Sequence, residues 1–132
     1  MKQELRNKDK GNALIRYKKS FFHAIDGIVY ATKEEHNMII IIVCAILAIF
    51  AGILFKISST EWLFVILIIG MVIASELINT AIEATIDLVT LEKHPLAKIA
   101  KDTASSATLV FSIVAFIGSI LLFVPKLLEI IL

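Results

Sequence analysis

The sequence predicts an all-α integral membrane protein, with one amphipathic surface helix followed by three membrane-spanning helices. Its 132 residues are 58% hydrophobic with a mean hydropathy of +0.89, above the roughly 45–50% apolar content of soluble domains. Three apolar stretches, Met38–Phe55, Trp62–Ser75 and Leu109–Val124, are separated by the short segment Lys56–Glu61 and by a longer, more polar one over 76–108. Lys and Arg are gathered on one side of them, as the positive-inside rule requires of a membrane protein.

Composition also excludes several classes. A net charge of +1 with dispersed basic residues gives no footprint for nucleic acid. Cys44 is the single cysteine and lies in an apolar run, so neither a disulfide framework nor a cysteine metal site is available. His23, His36 and His94 lack a convergent ligand spacing, which argues against zinc. The polar first 36 residues lack the apolar core and small-residue cleavage site of a secretory signal, so they are expected to remain. One membrane domain, 1–132, is expected, with 1–36 as an amino-terminal interfacial segment.

The elements follow in order. Asn12 to Tyr30 mixes Leu14, Ile15, Phe21, Phe22, Ile25, Ile28 and Val29 with Arg16, Lys18, Lys19, His23 and Asp26, the pattern of a helix lying in the membrane interface. Met38–Phe55 is free of charge and just long enough to cross a slab of roughly 30 Å. Ser59 or Thr60 is expected to cap the second helix, and Trp62 to sit in the aromatic belt. That helix is expected over 62–91. The third span is expected over 104–124, with Ala104, Ser105, Ser106, Ala107 and Thr108 as small residues permitting close approach and Pro125 ending it.

Eight of the thirteen Lys and Arg residues (Lys2, Arg6, Lys8, Lys10, Arg16, Lys18, Lys19, Lys33) precede the first span, and Lys93, Lys98 and Lys101 lie between the second and third. The amino terminus and the segment Leu91–Thr103 are therefore expected in the cytoplasm.

The apolar run Trp62–Ser75 continues without Pro or Gly after Gly70 into Glu76, Asn79, Glu83 and Asp87. Helical spacing places these four within roughly 80° of one another. A charge at the bilayer centre costs about 2.5 kcal/mol or more, and such groups usually face a partner, a cation or a water-filled site. Oxygen donors stepped from hydrocarbon to headgroup depth suit a hard cation such as Mg²⁺. Arg16, Lys19 and Lys101 can neutralise phosphates, and Glu76 can accept a proton from a lipid hydroxyl. The five glycines are too far apart for a phosphate-cradling loop. Spacing alone leaves an ion-conducting or proton-relaying bundle as plausible as an enzyme, and a purely structural or regulatory membrane subunit as a third reading.

The segment Glu76-Leu77-Ile78-Asn79-Thr80-Ala81-Ile82-Glu83-Ala84-Thr85-Ile86-Asp87 resembles the motif of the prokaryotic diacylglycerol kinase family, small three-span enzymes that phosphorylate lipid alcohols. His94-Pro95-Leu96-Ala97-Lys98-Ile99-Ala100-Lys101-Asp102-Thr103-Ala104 is similar to the family's second motif, and Glu35-His36-Asn37 to its upstream acidic element. The resemblance runs from about Arg16 to Lys126.

It implies Glu76 as catalytic base, Glu35 and Glu83 as metal-binding carboxylates, and Asn79 as a polar neighbour. Lys101, Asp102, Arg16, Lys19 and His23 are implied near the nucleotide, with Asp87 in support. It further implies ATP and Mg²⁺, a lipid alcohol acceptor, the bacterial cell membrane, and a homotrimer with shared sites. The His94–Lys98 stretch and the Val124-Pro125-Lys126 ending look more like the undecaprenol kinase branch than the diacylglycerol kinase branch. His23, where an aromatic is common, and Asp26, where a Lys is common, depart from the family pattern.

Overall fold

A computed structural model describes residues 13–132, which form four helices: α1 (Ala13–Glu34), α2 (His36–Leu54), α3 (Ser59–Val89) and α4 (Pro95–Ile131). The chain packs as two units divided between Glu34 and Glu35. The expected first residue of the surface helix, Asn12, lies outside the described residues, as do Lys2, Arg6, Lys8 and Lys10.

Within the first unit, α1 continues one turn past the expected Tyr30. Thr32 closes that turn by donating to the Ile28 carbonyl at 2.8 Å. Leu14, Phe21, Ile25 and Ile28 form an exposed apolar stripe, while Arg16, Lys19 and His23 share roughly a 60° arc of the other face at 3.6 residues per turn. This is the division of faces that holds a helix in a membrane interface.

In the second unit α3 is the central helix, packed against both α2 and α4 and most closely against α4. All three are long and apolar enough to cross a membrane, with mean hydropathies of 2.9, 2.2 and 2.6 over their best windows. Only 17%, 33% and 6% of those windows are buried within the chain, so most apolar side chains face outward, where lipid is their solvent.

The connection between α2 and α3 is tighter than its composition suggests. Lys56 N–H donates to the Ile53 carbonyl at 3.2 Å and Ile57 N–H to the Gly52 carbonyl at 3.1 Å. This is a Schellman ending, with Lys56 at φ 50° in the left-handed position usually held by glycine. At Gly52 a Cβ would stand 2.8 Å from the Trp62 ring and 3.0 Å from Ile57 Cδ1. The missing side chain is what lets the hairpin close.

The α3 cap differs from expectation. Ser58, rather than Ser59 or Thr60, is the N-cap, its hydroxyl accepting from Glu61 N–H at 3.3 Å while the Glu61 carboxylate accepts from Ser58 N–H at 2.7 Å. The reciprocal Ser-x-x-Glu spacing decides the position, because only Ser58 has a carboxylate three residues on. α4 likewise begins earlier than its apolar part: His94 is the N-cap, accepting from Leu96 N–H at 3.2 Å, with Pro95 at the first helical position.

Pro125 does not end α4, which runs through it to Ile131. The ring removes one backbone bond and would end many helices in water, but spans tolerate it where neighbours hold the flanking turns. Here Lys126 Nζ binds Glu61 Oε1 at 2.9 Å, tying the residue after the proline to the start of α3.

Two substitutions test this hairpin in opposite directions. Gly52→Val is expected to destabilise the protein by about 1–3 kcal/mol through overpacking against Trp62. Lys56→Gly is expected to stabilise it by about 0.5–1 kcal/mol by removing a side chain from the left-handed region. Thermal unfolding in detergent reads both.

Candidate active site

The α3 stripe follows from a helix that never stops at the edge of its apolar run. Val65, Val72, Glu76 and Asn79 are buried along one side, and Glu83, a further turn along, is half-buried. Glu76 is 1% exposed, and among the described residues the only comparably buried large side chain is Met38 of α2, at 0%. The same number of residues separates Met38 from Gly52 as separates Trp62 from Glu76. With Gly52 against Trp62, the antiparallel pairing brings Met38 level with Glu76.

The register of α3 against α4 is fixed twice. Lys101 Nζ binds Asp87 Oδ1 at 2.6 Å, and Lys126 binds Glu61 at the opposite end. The interval between the two lysines matches that between the two acids to within one residue. By this register Ser112 comes level with Glu76, and Thr108 with Asn79 and Thr80.

Hydrogen bonding within the stripe is incomplete. Asn79 Nδ2 donates to Glu83 Oε1 at 3.3 Å, and Thr80 Oγ1 donates to the Glu76 backbone carbonyl at 2.9 Å. Among the described residues, four buried side-chain atoms have no partner: Glu76 Oε1, Glu76 Oε2, Asn79 Oδ1 and Thr108 Oγ1. A buried polar atom without a partner is costly and uncommon in a finished structure. Their grouping on two facing helices, within two turns, makes this the candidate site.

The remaining sequence-predicted residues divide. Lys101 lies at the stripe's open end, bonded to Asp87, with Glu83 and Glu35 near enough to act on its charge. Asp102, expected beside Lys101, turns to another side of α4 and pairs with Lys98 one turn back. Glu35 is the N-cap residue of α2, but its side chain does not cap the helix. Arg16, Lys19 and His23 belong to the separate first unit, where His23 Nδ1 stands 3.8 Å from Asp26 Oδ2.

Sequence reasoning missed the Lys101–Asp87 pair and the polar role open to Thr108. The first is a contact between positions 14 apart across a turn, which no helical spacing reveals. The second was hidden among small residues.

Two lipid-facing hollows flank the stripe. A cleft of about 670 Å³ between α3 and α4 is lined by Ser75, Ile78, Ala104, Ala107 and Phe111. A groove of about 900 Å³ between α2, α3 and α4 runs from Glu61 to Val72, one turn short of Glu76. Both are apolar enough for acyl or prenyl chains.

The model of the prokaryotic diacylglycerol kinase family matches residues 22–123. The chain belongs to the prokaryotic diacylglycerol kinase family. It is a membrane-bound lipid kinase, an ATP-dependent phosphotransferase with an alcohol group as acceptor. An undecaprenol kinase of Bacillus subtilis (strain 168) is 43% identical to this kinase over 121 residues, 92% of this chain and 98% of the relative. A diacylglycerol kinase of Helicobacter pylori (strain J99) is 37% identical over 101 residues, 76% and 79% of the two chains. One of Pseudomonas aeruginosa is 34% identical over 88 residues, 67% and 72%. The family match includes Glu35, Glu76, Asn79, Glu83, Lys101, Asp102 and His23, and begins after Arg16 and Lys19.

If Lys101 meets the nucleotide as the resemblance implies, the two partners of the Lys101–Asp87 pair differ in effect. Lys101→Met is expected to lower kinase turnover at least about a hundredfold. Asp87→Asn, which leaves the lysine charged but less firmly held, is expected to raise KM for ATP about three- to tenfold with a smaller change in turnover. Steady-state kinetics with varied ATP separates them.

Proposed function

We propose that this kinase transfers the γ-phosphoryl group of ATP to undecaprenol, giving undecaprenyl phosphate, at the cytoplasmic face of a bacterial cell membrane. Support for the acceptor comes from the relative named undecaprenol kinase, whose likeness is stronger and covers more of both chains than that of the diacylglycerol kinases. The gathering of Lys and Arg before the first span and between the second and third supports the orientation.

One observation carries the chemistry: Glu76 is buried at the apolar end of the stripe with neither carboxylate oxygen hydrogen-bonded. An alcohol hydroxyl arriving from the lipid side supplies the missing donor. In the proposed step the acceptor oxygen forms its bond to the γ-phosphorus as the bond to the ADP oxygen breaks, and Glu76 takes the hydroxyl proton. Asn79 steadies Glu83 through its amide N–H and keeps Oδ1 open towards the acceptor.

Lys101, held by Asp87, faces the triphosphate. Arg16, Lys19 and His23 on α1 are assigned to phosphate neutralisation on their charge and shared face, and Asp102 to the nucleotide on the resemblance. Phosphoryl transfer demands mainly positioning and electrostatic stabilisation.

Glu35 and Glu83 are the residues proposed to hold Mg²⁺. Among the described residues no three His, Cys, Asp or Glu side chains form a cage. That suits an ion bound by one or two carboxylates together with phosphate and water oxygens. When bound, the ion would neutralise charge on the triphosphate.

A homotrimer with shared sites is part of the proposal. Glu76 and Asn79 are buried within one chain, but Glu83 is half-buried and Asp87 exposed, and neighbouring copies would close that end of the stripe. The second reading of the acceptor is diacylglycerol, giving phosphatidic acid. An ion- or proton-conducting subunit, which the stripe alone would permit, draws no support from the relatives.

Purified protein supplied with labelled ATP, Mg²⁺ and either lipid tests the acceptor. Label is expected in undecaprenol in preference to diacylglycerol; the reverse preference would select the second reading, and label in neither would remove the kinase. Glu76→Gln is expected to lower turnover by about a thousandfold or more without lowering the unfolding temperature, whereas an active variant would remove Glu76 from the chemistry.

A further inference from the structure

The buried hydroxyl side chains among the described residues are Ser75, Thr80 and Thr108, and Thr108 departs from the pattern of the other two. Ser75, Thr80, Thr85 and Ser106 each donate to a carbonyl three or four positions back, the usual satisfaction of a helical hydroxyl. Thr108 is only 8% exposed, yet its Oγ1 bonds to nothing, the Ala104 carbonyl included. It lies between Ala104 and Ser112 on the side of α4 that packs against α3. The two ion pairs bring it level with Asn79 and Thr80, a turn from Glu76.

The other three unpartnered atoms in this place are oxygens of Glu76 and Asn79. A carboxylate acting as a base and an amide oxygen only accept, whereas a threonine hydroxyl both donates and accepts. The unpaired atoms of α3 are therefore acceptors, and α4 contributes an unpaired hydroxyl beside them. A group able to accept one hydrogen bond and donate another completes the set. An alcohol does both through one oxygen.

We propose that Thr108 is an acceptor-binding residue: its hydroxyl donates to the oxygen of the lipid alcohol, whose own hydrogen is directed at Glu76. The inference rests on the reading of Glu76 as the base. Thr108 keeps its proton throughout. One lone pair of the acceptor oxygen takes the threonine hydrogen bond, the other forms the bond to phosphorus, and the alcohol proton passes to Glu76. Thr108 thus fixes the direction of attack and favours a hydroxylated lipid over an apolar one in the same place.

The full chain in lipid nanodiscs, with saturating ATP and varied undecaprenol, provides the test. Thr108→Val keeps the shape and removes the hydroxyl. It is expected to lower kcat/KM for the lipid about tenfold, with KM for ATP unchanged and the unfolding temperature equal or higher, because a buried unsatisfied hydroxyl has been removed. Thr108→Ser is expected to return kcat/KM to within about twofold of the parent.

Parental kinetics in the valine variant, with Glu76→Gln inactive, would overturn the Thr108 assignment and leave Glu76 standing. Activity in Glu76→Gln would remove both. A valine variant less stable and impaired equally for both substrates would show a packing role, or a bond to a neighbouring copy, and would also overturn the proposal.

Discussion

The structure depends on a carboxylate kept in an apolar layer without an internal partner. Glu76 gives its helix nothing that an alanine would not give more cheaply, and its burial demands help from both neighbours. Met38 comes level with it from α2, and α4 is set against it by an ion pair at each end of the helix pair. Because spans gain little from expelling water from one another, close packing and a few polar ties must do the holding. Gly52 under Trp62 and the alanines of α4 provide the packing, while the two lysines provide the ties.

This division of labour separates what is tied from what is left unpaired. Glu61 and Lys126 satisfy each other at one end of α3, and the reciprocal cap there pairs the N–H groups of Ser58 and Glu61. Toward the other end the stripe changes character. Asn79 spends one of its two polar atoms on Glu83 and none on Glu76, so the amide orders one carboxylate while leaving the other open. A kinase that joins a lipid alcohol to a soluble nucleotide needs such a gradient, since one substrate arrives through hydrocarbon and the other through water.

Much of this was legible in the sequence, because hydropathy and the 3.6-residue period act locally. The three spans, the amphipathic α1 and the alignment of Glu76, Asn79, Glu83 and Asp87 on α3 required only counting. Cap positions were less legible: Ser58, Ser59 and Thr60 are all competent caps, and Glu61 three residues after Ser58 settles the competition. Pro125 misled because its usual effect assumes water on the open side of the helix. Asp102 was expected beside Lys101, yet adjacent helical residues point about 100° apart, and each found its partner elsewhere. Thr108 was hidden most completely, since its significance lies in a bond it does not make.

The length of α3 has a consequence for the membrane around it. At 1.5 Å per residue its 31 residues extend about 46 Å, against a hydrocarbon thickness of roughly 30 Å. One end is pinned by its cap and by Lys126, so the surplus must emerge at the end bearing Glu83 and Asp87. A thicker bilayer would submerge those groups in turn, and a thinner one would let water climb toward Glu76. The helix is thus also a depth gauge, through which the lipid composition of the host membrane sets how dry the surroundings of Glu76 are.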